Sequence, residues 1–380
     1  MRKLRMGMIG GGIGSFIGDV HRKAAFIDGQ IELVCGSFSS TPERSKKSGQ
    51  QLFVHKDRCY DNYKEMFIRE QKLPENERMD FVAIVTPNHM HFEPAKMALE
   101  NGFHVVCDKP MTLTVTEAET LQKLVQKTGL LFALTHNYTG YPMVKQARAM
   151  IAHNNLGNIR KVQVQYLQGW LATEVEKTGQ KQATWRVDPK KSGLGGALGD
   201  IGTHAENLVE YITGLKMLEI AADLGKFGKG RLLDDDGNLL LRLENGAKGT
   251  MSFSQIATGE ENNLSIRVYG EKGSIEWHQE NPNQLITRWL DKPKKIFTPN
   301  GHNLYPEAMA ASRIPAGHPE GYLEGFANIY KSFANHLTAV LEGKTIENPD
   351  YPSVSEGVRG VKFIHTAVAS SKENASWKRL

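Results

Sequence analysis

The sequence predicts an α/β protein: an N-terminal doubly wound parallel sheet followed by a C-terminal α/β domain with an open, mostly antiparallel sheet. Three observations lead there. Short apolar runs alternate with helix-like stretches through the first third of the chain, the order that implies parallel strands with crossover helices. A glycine cluster follows the first of those runs, and after about Tyr141 the pattern changes to strand-like pieces joined by short turns. At 380 residues the chain also exceeds the roughly 250–300 at which a single core stops growing. Two domains are therefore expected, over 1–136 and 137–380, with the last helices candidates to pack back on the first.

In the first domain the strands fall at Leu4–Ile9, Ile31–Cys35, Phe81–Val85, His104–Cys107 and Leu130–Leu134. Their near-continuous apolar character suits strands buried on both faces. Helices are expected over Thr41–Gln51, Pro94–Asn101 and Thr114–Lys127. A helix at Tyr141–His153, stopped by Asn155 to Gly157, opens the second domain. Strands follow at Lys161–Trp170, Met217–Gly225, Asn238–Leu243, Thr250–Ile256, Ser265–Tyr269 and Ile275–His278, with Asn245-Gly246 a tight-turn signal. Leu323–Leu341 and Ser353–Ser371 close the chain as helices.

Composition narrows the function. The net charge of +5 is spread among acids without a basic block bearing interleaved aromatics, which argues against a nucleic-acid partner. Cys35, Cys59 and Cys107 are an odd number without CxxC spacing, so neither a disulfide framework nor a structural zinc site is expected, in keeping with a cytoplasmic protein. The start, MRKLRMGMIGGG, lacks the apolar stretch of a signal peptide, and no run is long enough to span a membrane. His89 and His91 sit two apart on a loop and are expected to touch cofactor or substrate rather than bind zinc, and no metal is expected.

Gly10, Gly12 and Ser15, with Ile13 and Gly14 between them, form G-x-G-x-x-S after a strand, where backbone N–H groups at a helix start can cradle a pyrophosphate. The end of the second strand carries no acid to meet a ribose 2′-hydroxyl; Ser39, Ser40 and Arg44 stand there instead. They suit a 2′-phosphate, or Ser-Thr-Pro simply caps the next helix. The cofactor expected is NAD(P), with a lean to NADP.

Thr86, Pro87, Asn88 and His91 form the loop after Phe81–Val85, and VVCDKPMTL carries Asp108 and Lys109 just past the next buried run. Ligands of doubly wound sheets bind outside the carboxyl ends of the strands, so Lys109 is aimed at a cleft. There it can hydrogen-bond a substrate oxygen or share in proton transfer, rather than merely pair with Asp108. Downstream, Asp200 and His204 are four apart behind a glycine-rich approach, a spacing that on a helix puts both on one face. A carboxylate can then orient an imidazole that accepts a proton.

The glycine loop, the T-P-N-x-x-H loop, the D-K-P turn and G-G-A-L-x-D-x-G-x-H, in this order, resemble the Gfo/Idh/MocA family of nicotinamide-dependent oxidoreductases over nearly the whole chain. The resemblance implies a Rossmann domain, a C-terminal sheet that often serves assembly, and dehydrogenation of secondary alcohols of sugars or cyclitols. It implies catalytic Lys109, Asp200 and His204, a substrate-side Asn137, and an Arg186 that contacts substrate or supports its loop. His318, in G-H-P-E-G-Y, lines the pocket or caps the next helix. Two departures bear on substrate: Tyr138 where many members have arginine, and Asn207 where many have aspartate. The implied assembly is a homodimer or homotetramer. Two other activities occur among such proteins, an NAD-dependent glycosidase working by transient oxidation and a dinucleotide- or sugar-sensing regulator; intact Lys109, Asp200 and His204 argue against the second.

Overall fold

A computed structural model of the chain describes residues 2–380. It divides into two compact units, Met1–Asn137 with Phe326–Val358, and Tyr138–Gly325 with Arg359–Leu380. The first unit thus takes in the stretch that joins the two closing helices, Tyr322–Leu341 and Val354–Lys372.

In the first unit, β1 (Leu4–Gly10), β2 (Ile31–Ser37), β3 (Phe81–Val85), β4 (His104–Cys107) and β5 (Phe132–Leu134) form a parallel sheet in the order β2-β1-β3-β4-β5. β3 and β4 are buried at every residue, which explains their unbroken apolar character. Phe81 has no exposure and meets Phe333 edge-on at 5.1 Å; truncating such a phenylalanine costs about 3–5 kcal/mol. Ser15 caps the helix Phe16–Phe26 by accepting from Gly18 N. Thr114 and Glu117 form a capping box for Val115–Thr128, which ends at Gly129 with φ +70°. The order of strands reverses between β1 and β3, so the loops after them flank the position where such sheets bind ligands.

The second unit is built on a nine-stranded sheet of β6 (Ile159–Leu167), β7 (Met217–Gly225), β8 (Asp236–Leu243), β9 (Lys248–Ser254), β10 (Asn263–Gly270), β11 (Gly273–His278), β12 (Leu285–Trp289), β13 (Lys295–Phe297) and β14 (Lys378–Arg379). The order is β13-β12-β11-β10-β6-β9-β8-β7-β14. Every neighbouring pair is antiparallel except β6 with β9. Alternation along the strands sorts the faces. Val162, Val164, Met251, Phe253, Leu264 and Ile266 enter the core with Val144, Ala147, Leu208 and Ile212 of the helices Pro142–Ala152 and Thr203–Thr213. Gln163, Gln165, Asn238, Leu240, Thr250 and Ser252 point the other way and line a concavity of about 710 Å³.

β6 stops at Leu167 rather than running to Trp170. Gln168 N and Gly169 N bond to Ser254 O and Glu260 O, and a Cβ at Gly169 would stand 2.7 Å from Ala257 O, so the chain bends away there. Asn245 and Gly246 take φ +57° and +77°, forming the turn that their sequence signals. The three cysteines are free and buried. No helix among the described residues is long and apolar enough to cross a membrane.

Candidate active site

The glycine loop is sealed to the end of β2. Gly12 N donates to Phe38 O at 3.0 Å and Ile13 N to Ser48 Oγ at 3.1 Å. A Cβ at Gly12 would lie 2.6 Å from both acceptors, so only glycine permits this approach. Gly14 has φ +77° and nothing within 4 Å of its side. The loop therefore leaves open space beside the first turn of Phe16–Phe26, whose leading N–H groups, at Phe16 and Ile17, have no intrahelical partners, a cradle that fits a dinucleotide pyrophosphate. Beyond β2, Ser39 is half-buried while Ser40 and Arg44 are exposed. Thr41, at the N-cap of Pro42–Gln51, makes no side-chain capping bond.

After β3, Thr86 Oγ1 donates to Met90 O at 3.0 Å and Asn88 is buried. His91 has no exposure, and its ring nitrogens each lie 2.8 Å from a carbonyl, Pro110 O and Thr86 O. It therefore braces the two loops against each other, with both polar atoms of the ring used inside the protein. Burial lowers its pKa, while Asp108 and the two carbonyls favour the protonated ring. After β4, Asp108 Oδ1 accepts from Lys109 N at 2.8 Å and Thr135 Oγ1 at 3.0 Å. The Lys109-Pro110 bond is cis, and Lys109 is half-buried. His21 bonds Tyr330 OH at 2.7 Å and stands 3.9 Å from Asp108 Oδ2. Burial pushes His21 down to about 4, and burial with the Lys109 charge takes His136 to about 3.

In the second unit Asp200 lies on a π-helical turn, Leu198–Gly202, that runs directly into Thr203–Thr213 carrying His204. The plain helix that the spacing suggests is widened here at Gly199 and Gly202; a Cβ at Gly202 would come within 3.3 Å of the Phe253 ring. Asp200 Oδ2 accepts from Arg186 Nε at 3.0 Å and Gln255 Nε2 at 2.8 Å. Arg186 also bonds Gln182 and lies over the Trp185 ring at 4.4 Å, so it supports the acid. His204 is 8% exposed and meets Tyr138 edge-on at 4.8 Å. Asn137 and Asn207 are both buried, and Nδ2 of the first and Oδ1 of the second lack hydrogen-bond partners within the chain. His318 is exposed, its Nδ1 3.2 Å from Pro315 O.

The chain matches the model of the oxidoreductase family with an NAD-binding Rossmann fold over residues 4–136, and that of the GFO/IDH/MocA C-terminal domain over 144–276. It belongs to the Gfo/Idh/MocA oxidoreductases. It is 35% identical to the uncharacterized oxidoreductase YfiI of Bacillus subtilis (strain 168), over 99% of this chain and 96% of that one. An inositol dehydrogenase homolog from Azotobacter vinelandii, complexed with NAD+, superposes with a TM-score of 0.95 at 37% identity, covering 100% of this chain and 98% of that one. The same source's homolog complexed with NADH and myo-inositol gives 0.91 at 35% identity, with the same coverage.

As a Gfo/Idh/MocA protein, this chain is a nicotinamide-dependent dehydrogenase. Around its Asp200 and Tyr138 lies a polar network that no motif marks. Parallel pairing of β6 with β9 sets Gln255 beside Gln168, and antiparallel pairing with β10 sets Asn262 opposite it. Gln168 Nε2 donates to Asn262 Oδ1 at 2.8 Å, and its Oε1 accepts from Trp170 Nε1 at 3.1 Å and Gln255 Nε2 at 3.5 Å. Tyr166 OH also donates to Asn262 Oδ1, so in the 2.5 Å pair of phenols Tyr138 is the donor. Among the described residues no cluster of three or more His, Cys, Asp or Glu could hold a metal ion.

Proposed function

We propose that this dehydrogenase transfers hydride between NAD(P) and a secondary alcohol of a cyclitol or sugar, with Lys109, Asp200 and His204 as its catalytic residues. The observation that carries the reading is Asp200, a carboxylate held by two donors on the turn that leads directly into the helix bearing the His204 imidazole. Bound nicotinamide supplies the hydride acceptor. Gly10, Gly12, Ile13, Gly14 and Ser15 hold its pyrophosphate, and Thr86, Pro87, Asn88 and Asp108 shape the loops beside it. His204 takes the hydroxyl proton, Asp200 steadies the imidazolium that forms, and Lys109 donates to the same substrate oxygen as it becomes a carbonyl; Lys109 and His204 can exchange these roles. Asn137, substrate-side by the family's motif, suits a further hydroxyl of a polyol. The relative bound to NADH and myo-inositol supports this substrate class.

Ser40 and Arg44, exposed beyond β2, favour NADP through its 2′-phosphate. A homodimer or homotetramer would cover the open sheet face, where Leu240 is 53% and Trp377 38% exposed. A panel of cyclitols, sugars and glycosides with NAD+ and NADP+, followed at the reduced-nicotinamide absorbance, tests the reading. Oxidation of free polyols supports it; glycoside hydrolysis under catalytic cofactor without net reduction would replace it.

A further inference from the structure

The approach to Asp200 is fastened from behind by a carboxylate that the proposed chemistry does not use. Asp234, 6% exposed, lies in the buried stretch leading into β8. Its Oδ1 accepts from Gly196 N and its Oδ2 from Leu198 N, each at 2.7 Å. Its carbonyl accepts from Ala197 N at 2.9 Å. Three successive residues are thus tied to one side chain and its own backbone. Asp200 follows after Gly199, its N bonded to Gly196 O at 3.0 Å. Only glycine fits at 196, where a Cβ would stand 2.1 Å from Asp234 O.

Each carboxylate oxygen accepts from an N–H donor, an arrangement that the ionised form satisfies best, since a proton on either oxygen weakens it as an acceptor and adds a buried donor that needs a partner of its own. Burial opposes ionisation and, with the Asp235 charge, pushes the carboxyl up to about 6 despite the N–H groups of Leu198, Gly196 and Asp234 itself. The charges around this corner are few. Asp235 is answered by Arg231 at 3.0 Å and by the N–H groups of Phe227 and Gly228; Glu176 faces Arg231 from the other side. Asp236 follows on the same segment, and the fastened turn itself carries Asp200 and then His204.

We propose that Asp234 is a positioning residue: its ionised carboxylate holds Gly196–Leu198, and through them the Asp200–His204 turn, in working register, and its protonation slackens that turn and slows turnover. This rests on the catalytic assignment of Asp200 and His204 made above. The sign is particular. A carboxyl whose folded pKa is raised above its unfolded value of about 3.9 gains stability on acidification. Between pH 7 and 5, activity should therefore fall while the contribution of this group to stability rises.

The test is kcat against pH for the wild type, Asp234→Asn and Asp200→Asn, using the best polyol of the panel, with cofactor affinity and melting temperature measured alongside. Asp234→Asn is expected to lower kcat at pH 7.5 by about 10–100-fold, the scale of a lost positioning contact. It should leave cofactor affinity unchanged and alter the acid limb near pH 6, leaving only what protonation of the His204 base contributes; the wild-type melting temperature should rise relative to the variant's from pH 7 to 5. Wild-type kcat or an unmoved acid limb in Asp234→Asn overturns the proposal. Full turnover in Asp200→Asn would instead remove the assignment beneath it. Should Asp234→Asn not fold, the Leu198 amide of 15N-leucine-labelled wild type decides: a titration with midpoint near 6 supports the role, and a flat response from pH 5 to 8 overturns it.

Discussion

Gly12→Ala tests the cofactor cradle at its tightest point. The new methyl group would stand 2.6 Å from Phe38 O and Ser48 Oγ. The serine can rotate, but Phe38 O is backbone and can yield only if the end of β2 moves. Relief by movement of the loop sacrifices the Gly12 N–Phe38 O and Ile13 N–Ser48 Oγ bonds, each worth about 0.5–1.5 kcal/mol. Keeping them instead incurs an overpacking cost of about 1–3 kcal/mol. In either case the N–H groups that face a pyrophosphate leave their places, and NADH affinity should fall by about 10–100-fold, equivalent to about 1.4–2.8 kcal/mol. Gly14→Ala is the comparison, because its methyl meets nothing and only the φ of +77° costs about 1–2 kcal/mol. Calorimetric titration with NADH and a thermal melt of each variant provide the assay. Gly12→Ala with wild-type affinity and melting temperature would refute the reasoning.

Arg44→Ala should weaken NADP+ binding by about 1.5–3 kcal/mol, the value of a charge-assisted hydrogen bond, and leave NAD+ nearly unchanged; equal losses for both would remove the 2′-phosphate assignment. Light scattering at micromolar concentration should give a mass that is a multiple of the 42.3 kDa chain, and a monomer would remove the assembly placed on the open sheet face. Buried His21, His104 and His136 have folded pKa values of about 4, 4 and 3, below an unfolded value of about 6.5. The unfolded chain therefore binds more protons, and stability is lost as pH falls from about 6.5 toward 4, by up to about 1.4 kcal/mol per pH unit for each ring. His104 Nδ1 accepts from Leu131 N at 2.8 Å. His104→Asn keeps an acceptor there and should flatten this fall in melting temperature; an unchanged slope would contradict the linkage.

Much of the scaffold was legible because its signals are local. Buried parallel strands are apolar without interruption, so β3 and β4 coincide with their predicted ranges, and Asn245-Gly246 announces its own turn. Lys109 was legible by position, one residue beyond Asp108 at the end of β4. The helix Phe16–Phe26 was not delimited, since its pattern is interrupted by Gly18, which lies against Gly11. The Gln168, Gln255 and Asn262 network is invisible in the sequence because it depends on which strands pair and in what register, and isolated glutamines look like surface residues. His91 matched a motif, but its role depends on two carbonyls brought together from separate loops. Asp234 has the same character: nothing near it in sequence predicts Gly196 and Leu198 as its partners.

The most direct test of the central claim is Lys109→Met, measured for turnover and NADH affinity in the same preparation. Loss of a positioned proton-transfer group should lower kcat by about 10²–10⁴-fold while NADH binds within a few-fold of wild type, because Asp108 still accepts from the backbone N–H at 109 and from Thr135. Near-wild-type kcat in a variant that binds NADH would contradict the catalytic role of Lys109.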